Sequence, residues 1–181
     1  LRMSRGLGDV YKRQDFRQEV LDLFQFPDQQ INLASRNLQE QMRREQAVAV
    51  HVRRGDYLLP ENSRKYGNIC TLQYYKNAMQ YMKKKVPDAK FYFFSNDSEW
   101  VRKNLANGDS VIVDCNHGKE NYLDMYLMSQ CSHNIIANSS FSWWGAWLNQ
   151  NPDKIVISPQ RWFSHLDASD AICEDWVRVN G

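Results

Sequence analysis

The chain has 181 residues, of which 43% are hydrophobic and 24% charged, and its net charge at pH 7 is +2. This length and composition are typical of one globular domain with a full core, and the small, scattered charge does not indicate a nucleic-acid-binding surface. The four cysteines form no C-x-x-C pair, so neither a zinc site nor a disulfide framework is indicated. No apolar run is long enough to span a membrane.

The first 46 residues divide into two segments. Residues 1–14 are basic, contain two glycines and lack a periodic apolar face, and we interpret them as a non-native extension. Residues 15–46 have a helical pattern that Pro27 interrupts, which predicts a helical linker segment. Residues 47–181 are then left to form the domain itself.

Strand and helix patterns alternate through residues 47–181. Strands are expected at residues 47–52, 90–95, 110–114, 133–137 and 154–158, and helices after Thr71 and at 98–105, 121–131 and 141–149. Residues 58–70 are predicted as a polar loop, and residues 174–177 as part of a tail that packs back on the domain. The alternation predicts an α/β fold with a doubly wound parallel sheet and helices on both faces.

The first candidate motif, H-V-R-R-G-D-Y, occupies residues 51–57, where the first strand ends. Ligands of open parallel sheets bind at the carboxyl ends of the strands, so His51, Arg53, Arg54 and Asp56 are candidates for a binding site. Two guanidinium groups form a fork that suits a diphosphate. The alternative is an ion-paired turn, in which either arginine bridges Asp56, and the motif alone does not decide between the two.

The second motif, F-Y-F-F-S-N-D, occupies residues 91–97, at the end of the second strand. Its last residue, Asp97, could accept hydrogen bonds from guanine N1–H and the exocyclic amine, the donor pair that identifies guanine. It could equally cap the helix that follows. Taken alone, the sequence favours the cap.

The third motif, I-I-A-N-S-S-F-S-W-W-G-A-W-L, occupies residues 135–148 and leads from a strand into a helix. Free backbone N–H groups at a helix start, together with the serine hydroxyls, suit an anion. The alternative is a helix cap with the tryptophans as core. In a parallel sheet all three motifs share one edge, and their combination predicts a nucleotide-diphosphate site.

The first and third motifs together closely resemble the α-1,2-fucosyltransferases of glycosyltransferase family 11, from about residue 15 to the C-terminus. The resemblance implies inverting transfer of L-fucose from GDP-β-L-fucose to the 2-hydroxyl of a galactose-type glycan, with no metal or other cofactor. It also implies a GT-B fold, whose C-terminal Rossmann-like half, residues 47–181, binds GDP-fucose. Because H-x-R-R-x-D is shared by several fucosyltransferase families, another linkage is one alternative, and a non-catalytic nucleotide-binding module is another.

The resemblance also implies roles for individual residues. Arg53 would bind the β-phosphate and stabilise the departing GDP, His51 would support that phosphate, and Asp56 would orient both Arg53 and Arg54. Asp97 would read guanine. The diphosphate would accept hydrogen bonds from the turn formed by Ser139, Ser140, Phe141 and Ser142.

Family members begin with a glycine-rich segment and an acceptor-side domain, and neither is present in this sequence. The identity of the general base is therefore undecided, and the candidates are Asp56, His51 and a residue outside the chain. We expect the chain alone to transfer little fucose. The resemblance further implies a cytoplasmic protein, with peripheral association with the inner membrane as a further option.

Overall fold

The computed structural model describes residues 17–181, which are built around a parallel sheet of six strands. The strands are β1 (Gln46–Val52), β2 (Ala89–Ser95), β3 (Val111–Val113), β4 (His133–Ile135), β5 (Val156–Pro159) and β6 (Val177–Val179). The helices are α1 (Arg17–Leu23), α2 (Leu33–Arg43), α3 (Pro60–Tyr66), α4 (Leu72–Lys85), α5 (Ser98–Asn104), α6 (Tyr122–Gln130) and α7 (Ser140–Trp147). Within residues 17–181, no helix is both long and apolar enough to cross a membrane.

The strand order is β3-β2-β1-β4-β5-β6, and all five neighbouring pairs are parallel. The order reverses direction between β1 and β4, which makes this position the topological switch point of a Rossmann-like sheet. The predicted α/β fold with a doubly wound parallel sheet is confirmed. The burial of the central strand agrees with this fold. All residues of β1 from Ala47 to Val52 are buried, because helices cover both faces of the strand.

Helices cover the two faces of the sheet. On one face α4 packs against Val48 and Val50 through an apolar stripe of Tyr74, Tyr75, Ala78 and Met82. On the other face, α2 and α6 pack against Ala47, Ala49 and Tyr92. A third cluster, rich in tryptophan, surrounds α7. The tryptophans of the third motif are therefore largely core residues.

The C-terminal tail packs back on the domain as predicted, and it does so through a sixth strand that was not predicted, in which Val177 and Val179 pair with Ile157 and Pro159 of β5. One prediction for the secondary structure is wrong. The segment predicted as a loop contains α3, which begins with Pro60 at its first turn. The alternation in β6 covers only three residues, which is too short to indicate a strand, and the polar helix α3 has no apolar stripe, so neither could be predicted from the sequence.

The segment predicted as a helical linker packs closely on the rest of the domain. The Arg17 guanidinium donates to the Trp147 carbonyl at 2.9 Å, and Met42 is buried against the sheet. The ring of Phe26 lies 5.1 Å from that of Tyr126 on α6. The described part of this segment is thus a layer of the domain. The extension predicted over residues 1–14 lies outside the described residues.

Gly145 allows α7 to approach α6 closely. A Cβ atom at this position would lie 2.9 Å from the Cβ of Met128. We expect Gly145→Ala to lower the free energy of unfolding by about 1–2 kcal/mol, because overpacking outweighs the gain in helix propensity. Urea denaturation measures this, with Gly108→Ala as the control, since a Cβ at Gly108 meets no atom within 4 Å. A Gly145→Ala variant as stable as the parent would contradict the packing argument.

Candidate functional site

A cleft of about 680 Å³ opens at the carboxyl edge of the sheet, at the switch point between β1 and β4. Its near wall comes from the residues after β1 and from α3, its floor from the start of α7, and its far wall from residues 116–124. Of the predicted site residues, the cleft brings together His51, Arg53, Asp56, Ser139, Ser140 and Phe141. Arg54, Asp97 and Ser142 do not line it.

Arg53 is the cationic group of the near wall. One of its terminal nitrogens lies 2.9 Å from Asp56 Oδ2, and its guanidinium carbon lies 5.7 Å from the ring centre of Tyr57. The side chain is 36% exposed, so it faces the cleft while it is ion-paired. The ion-paired turn is therefore present, and it leaves Arg53 facing the cleft, so the binding-site interpretation stays a prediction.

Arg54 points to the other side of the sheet edge. Its Nε lies 3.2 Å from Asp97 Oδ2, and its guanidinium carbon stacks 4.1 Å from the ring centre of Trp100. Asp97 in turn accepts the backbone N–H of Trp100 with Oδ1 at 3.1 Å, as the N-cap of α5. Both carboxylate oxygens are engaged, so the structure places Asp97 in the cap and ties Arg54 to it. Neither side chain lines the cleft.

His51 is buried at the base of the near wall, with 5% of its surface exposed. Burial, and secondarily the charge of Arg53, lowers its pKa to about 3, so the imidazole is neutral near pH 7. Its Nδ1 is buried without a hydrogen-bond partner among residues 17–181. The ring of Phe141 lies 5.8 Å away. An unpaired buried nitrogen beside a cleft is a group that a ligand can satisfy.

The floor is the first turn of α7. Ser139 is the N-cap residue, but no side chain caps the helix, so the first backbone N–H groups of α7 are open toward the cleft. Ser140 is exposed and Phe141 is half-buried. Ser142 is fully buried, and its hydroxyl donates to the carbonyls of Ala137 and Ser139 at 3.3 and 3.2 Å. Ser142 thus holds the turn in shape from below and does not reach the cleft.

Asn138 fixes the floor against the near wall. Its side-chain nitrogen donates to the carbonyls of Tyr66 and Trp162 at 3.2 and 3.1 Å. Its backbone carbonyl accepts the hydroxyl of Tyr57 at 3.1 Å. These bonds connect α3, the turn before α7 and the segment after β5 through one residue, Asn138, which is buried.

The far wall was not predicted from the sequence. Asp124 of α6 lines the cleft, and Asn116 donates to its Oδ1 at 2.9 Å. Burial raises the pKa of Asp124 to about 6 against the opposing effects of Asn116 and His117. The signal that could have found it is an aspartate in the first turn of a largely apolar helix, but no local pattern shows that this residue faces the edge of the sheet.

A Rossmann-like sheet with a cleft at its switch point defines an α/β domain of the type that binds ligands at the carboxyl ends of its strands. The family model of glycosyl transferase family 11 matches residues 8–180. The chain belongs to this family.

Curated relatives support the assignment. The chain is 35% identical over 168 residues to the O-antigen biosynthesis glycosyltransferase WbnK of Escherichia coli, covering 90% of this chain and 55% of WbnK. It is 40% identical over 153 residues to an α-1,2-colitosyltransferase of Escherichia coli, covering 82% and 53%. It is 34% identical over 140 residues to galactoside α-(1,2)-fucosyltransferase 1 of Ateles belzebuth, covering 74% and 38%. The chain spans about half the length of the two bacterial relatives.

Among solved structures, the β-Kdo 2,7-transferase KpsC of Thermosulfurimonas dismutans overlaps with 79% of this chain and 46% of its own, at 14% identity and a TM-score of 0.38. That similarity is too low to support the fold assignment, which is based on the strand order.

Proposed function

We propose that this domain binds GDP-β-L-fucose and that the protein transfers L-fucose, with inversion and without a metal ion, to the 2-hydroxyl of a galactose-type glycan. The observation that carries the proposal is that Arg53 and the open first turn of α7 face one cleft at the switch point. Two relatives named for α-1,2 transfer of fucose and of colitose support the linkage. The colitosyltransferase, at 40% identity, makes a colitosyl donor the second candidate.

The diphosphate of the donor would lie between Arg53 and the start of α7. The guanidinium and the first N–H groups of the helix both favour an anion there. As the bond from C1 of the sugar to the β-phosphate oxygen breaks, negative charge grows on that oxygen, and Arg53 is placed to stabilise it. Asp56 keeps the guanidinium in position, and the neutral His51 can donate a hydrogen bond to a phosphate oxygen.

The nucleoside would lie along the far wall. Asp124 is the carboxylate of that wall, and the hydrogen bond from Asn116 orients it. An ionised carboxylate can accept both the N1–H and the exocyclic amine of guanine. With the pKa of Asp124 at about 6, the carboxylate is mostly ionised at pH 7. We therefore assign guanine recognition to Asp124 in place of Asp97, whose oxygens are engaged by Arg54 and by α5.

The remaining parts of the proposal concern the whole protein. We propose that this domain is the C-terminal half of a GT-B enzyme, since the bacterial relatives are about twice as long as the segment they share with it. The acceptor and its general base would then be supplied largely by the other half. The O-antigen role in the name of WbnK supports a bacterial glycan as acceptor and transfer in the cytoplasm or at the inner membrane surface.

Calorimetry on the chain tests the donor site directly. We expect GDP to bind with a dissociation constant in the micromolar range, since a few charge-assisted hydrogen bonds contribute roughly 1.5–3 kcal/mol each. AMP lacks the second phosphate and the guanine donor pair, and we expect it to bind at least about tenfold more weakly. Equal affinities for the two nucleotides, or no binding of GDP, would refute the proposal.

A further inference from the structure

The near wall continues past Arg53 with polar groups that a diphosphate does not use. Asp56 gives only Oδ2 to Arg53, at 2.9 Å. Its other oxygen, Oδ1, is buried and has no hydrogen-bond partner among residues 17–181. A buried carboxylate oxygen without a donor is costly, so this atom is poised to accept a hydrogen bond from a ligand.

Asn62 of α3 presents a second acceptor beside it. Its Nδ2 donates to the backbone carbonyl of Asp56 at 3.1 Å, which fixes the orientation of the amide. Its Oδ1 accepts no hydrogen bond from the described residues, and the side chain lines the cleft. Two acceptors thus lie together at one end of the cleft, and neither receives a hydrogen bond from the described residues.

Two aromatic rings supply an apolar surface at the same end. Tyr57 and Tyr66 stack with their ring centres 5.0 Å apart and their planes 20° apart. Both line the cleft and both are half-buried. The hydroxyl of Tyr57 is held by the Asn138 carbonyl, so this ring does not turn freely. Oxygens that accept hydrogen bonds, next to an aromatic surface, are complementary to a sugar. A sugar has hydroxyl donors on its edge and C–H groups on its faces.

We propose that Asp56, Asn62, Tyr57 and Tyr66 form the subsite for the transferred sugar. The inference rests on the proposed function, in which Arg53 binds the phosphate that carries this sugar. Asp56 touches the same guanidinium, so a sugar bonded to that phosphate lies within reach of Asp56 Oδ1 and of Asn62. The nucleoside lies toward Asp124, on the opposite wall. The tyrosine rings contact an apolar part of the sugar, such as the methyl group of a 6-deoxyhexose.

The test compares GDP with GDP-fucose in calorimetry on the full chain. We expect Asn62→Ala to weaken GDP-fucose binding roughly threefold to tenfold, the range for one lost hydrogen bond, and to change GDP binding less than about twofold. The matched control is Arg64→Ala, also on α3 but exposed and outside the cleft, which should change neither affinity. An equal loss for both ligands, or no loss for GDP-fucose, overturns the sugar subsite.

A second measurement needs no variant. In saturation-transfer NMR with the parent chain and GDP-fucose, the fucosyl methyl protons should receive magnetisation about as strongly as the guanine H8. Transfer to guanine and ribose without transfer to the methyl group overturns the sugar subsite and leaves the donor site standing. Absence of GDP binding in the parent chain overturns the proposed function instead, so the two failures are distinguishable.

Discussion

Replacing Arg53 by alanine is expected to lower the affinity for GDP roughly 100-fold. The change removes the cationic group of the cleft, whose hydrogen bonds to a phosphate contribute about 1.5–3 kcal/mol each. It also leaves the carboxylate of Asp56 without its 2.9 Å partner, next to the place where an anion has to bind. The loss of attraction and the new repulsion act in the same direction. Calorimetry of GDP binding at a fixed salt concentration measures the combined effect of the two on the dissociation constant.

Two further variants make this result specific to Arg53. Arg102→Ala removes an arginine that is ion-paired with Asp114. Both side chains are 53% exposed and neither lines the cleft, so GDP affinity should not change. Arg53→Lys keeps the charge and loses the planar fork, so we expect an affinity between those of the parent and Arg53→Ala. If Arg53→Ala binds GDP within about threefold of the parent, the diphosphate does not lie on Arg53.

The contrast between Arg53 and Arg54 shows what the sequence could not resolve. Both belong to one motif, and residue types alone allow either to bind a phosphate or to pair with an acid. The structure separates them through α5, because the cap residue Asp97 and the ring of Trp100 hold Arg54 on the far side of the edge. The orientation of Arg54 depends on a helix more than 40 residues away along the chain, so it could not be predicted from the motif alone.

Some elements of the fold could be predicted from the sequence, and others could not. The strand β1 was predicted because an apolar run between polar segments shows burial directly, and α4 because its stripe has helical spacing. By contrast, β6 exists only through its hydrogen bonds to β5. The part of the near wall that follows β1 and the floor of the cleft were predictable because strand ends meet at one edge, whereas the part formed by α3 was not. The far wall was not, because Asp124 reaches the cleft from a helix.

His51 should make the stability of the domain strongly dependent on pH. Its pKa is lowered to about 3 in the folded state, by burial first and by Arg53 second, whereas an exposed histidine titrates near 6.5. Between these two values the unfolded chain binds a proton that the folded chain does not, so stability rises with pH. The folded state therefore has its full stability above about pH 6.5 and loses stability as the pH falls toward 3.

The measurement is urea denaturation at a series of pH values, comparing the parent with His51→Gln. Between pH 7 and pH 4.5 the free energy of unfolding of the parent should fall by about 2–3 kcal/mol more than that of the variant. The reason is that pH 4.5 lies about two units below the pKa of an exposed histidine, and each unit contributes about 1.36 kcal/mol. Asp124, whose pKa is raised to about 6, acts with the opposite sign, but it is present in both proteins and cancels in the difference. Parallel stability curves for the two proteins would mean that His51 gains a proton in the folded state, and the cleft would then carry a second cation beside Arg53 in acid.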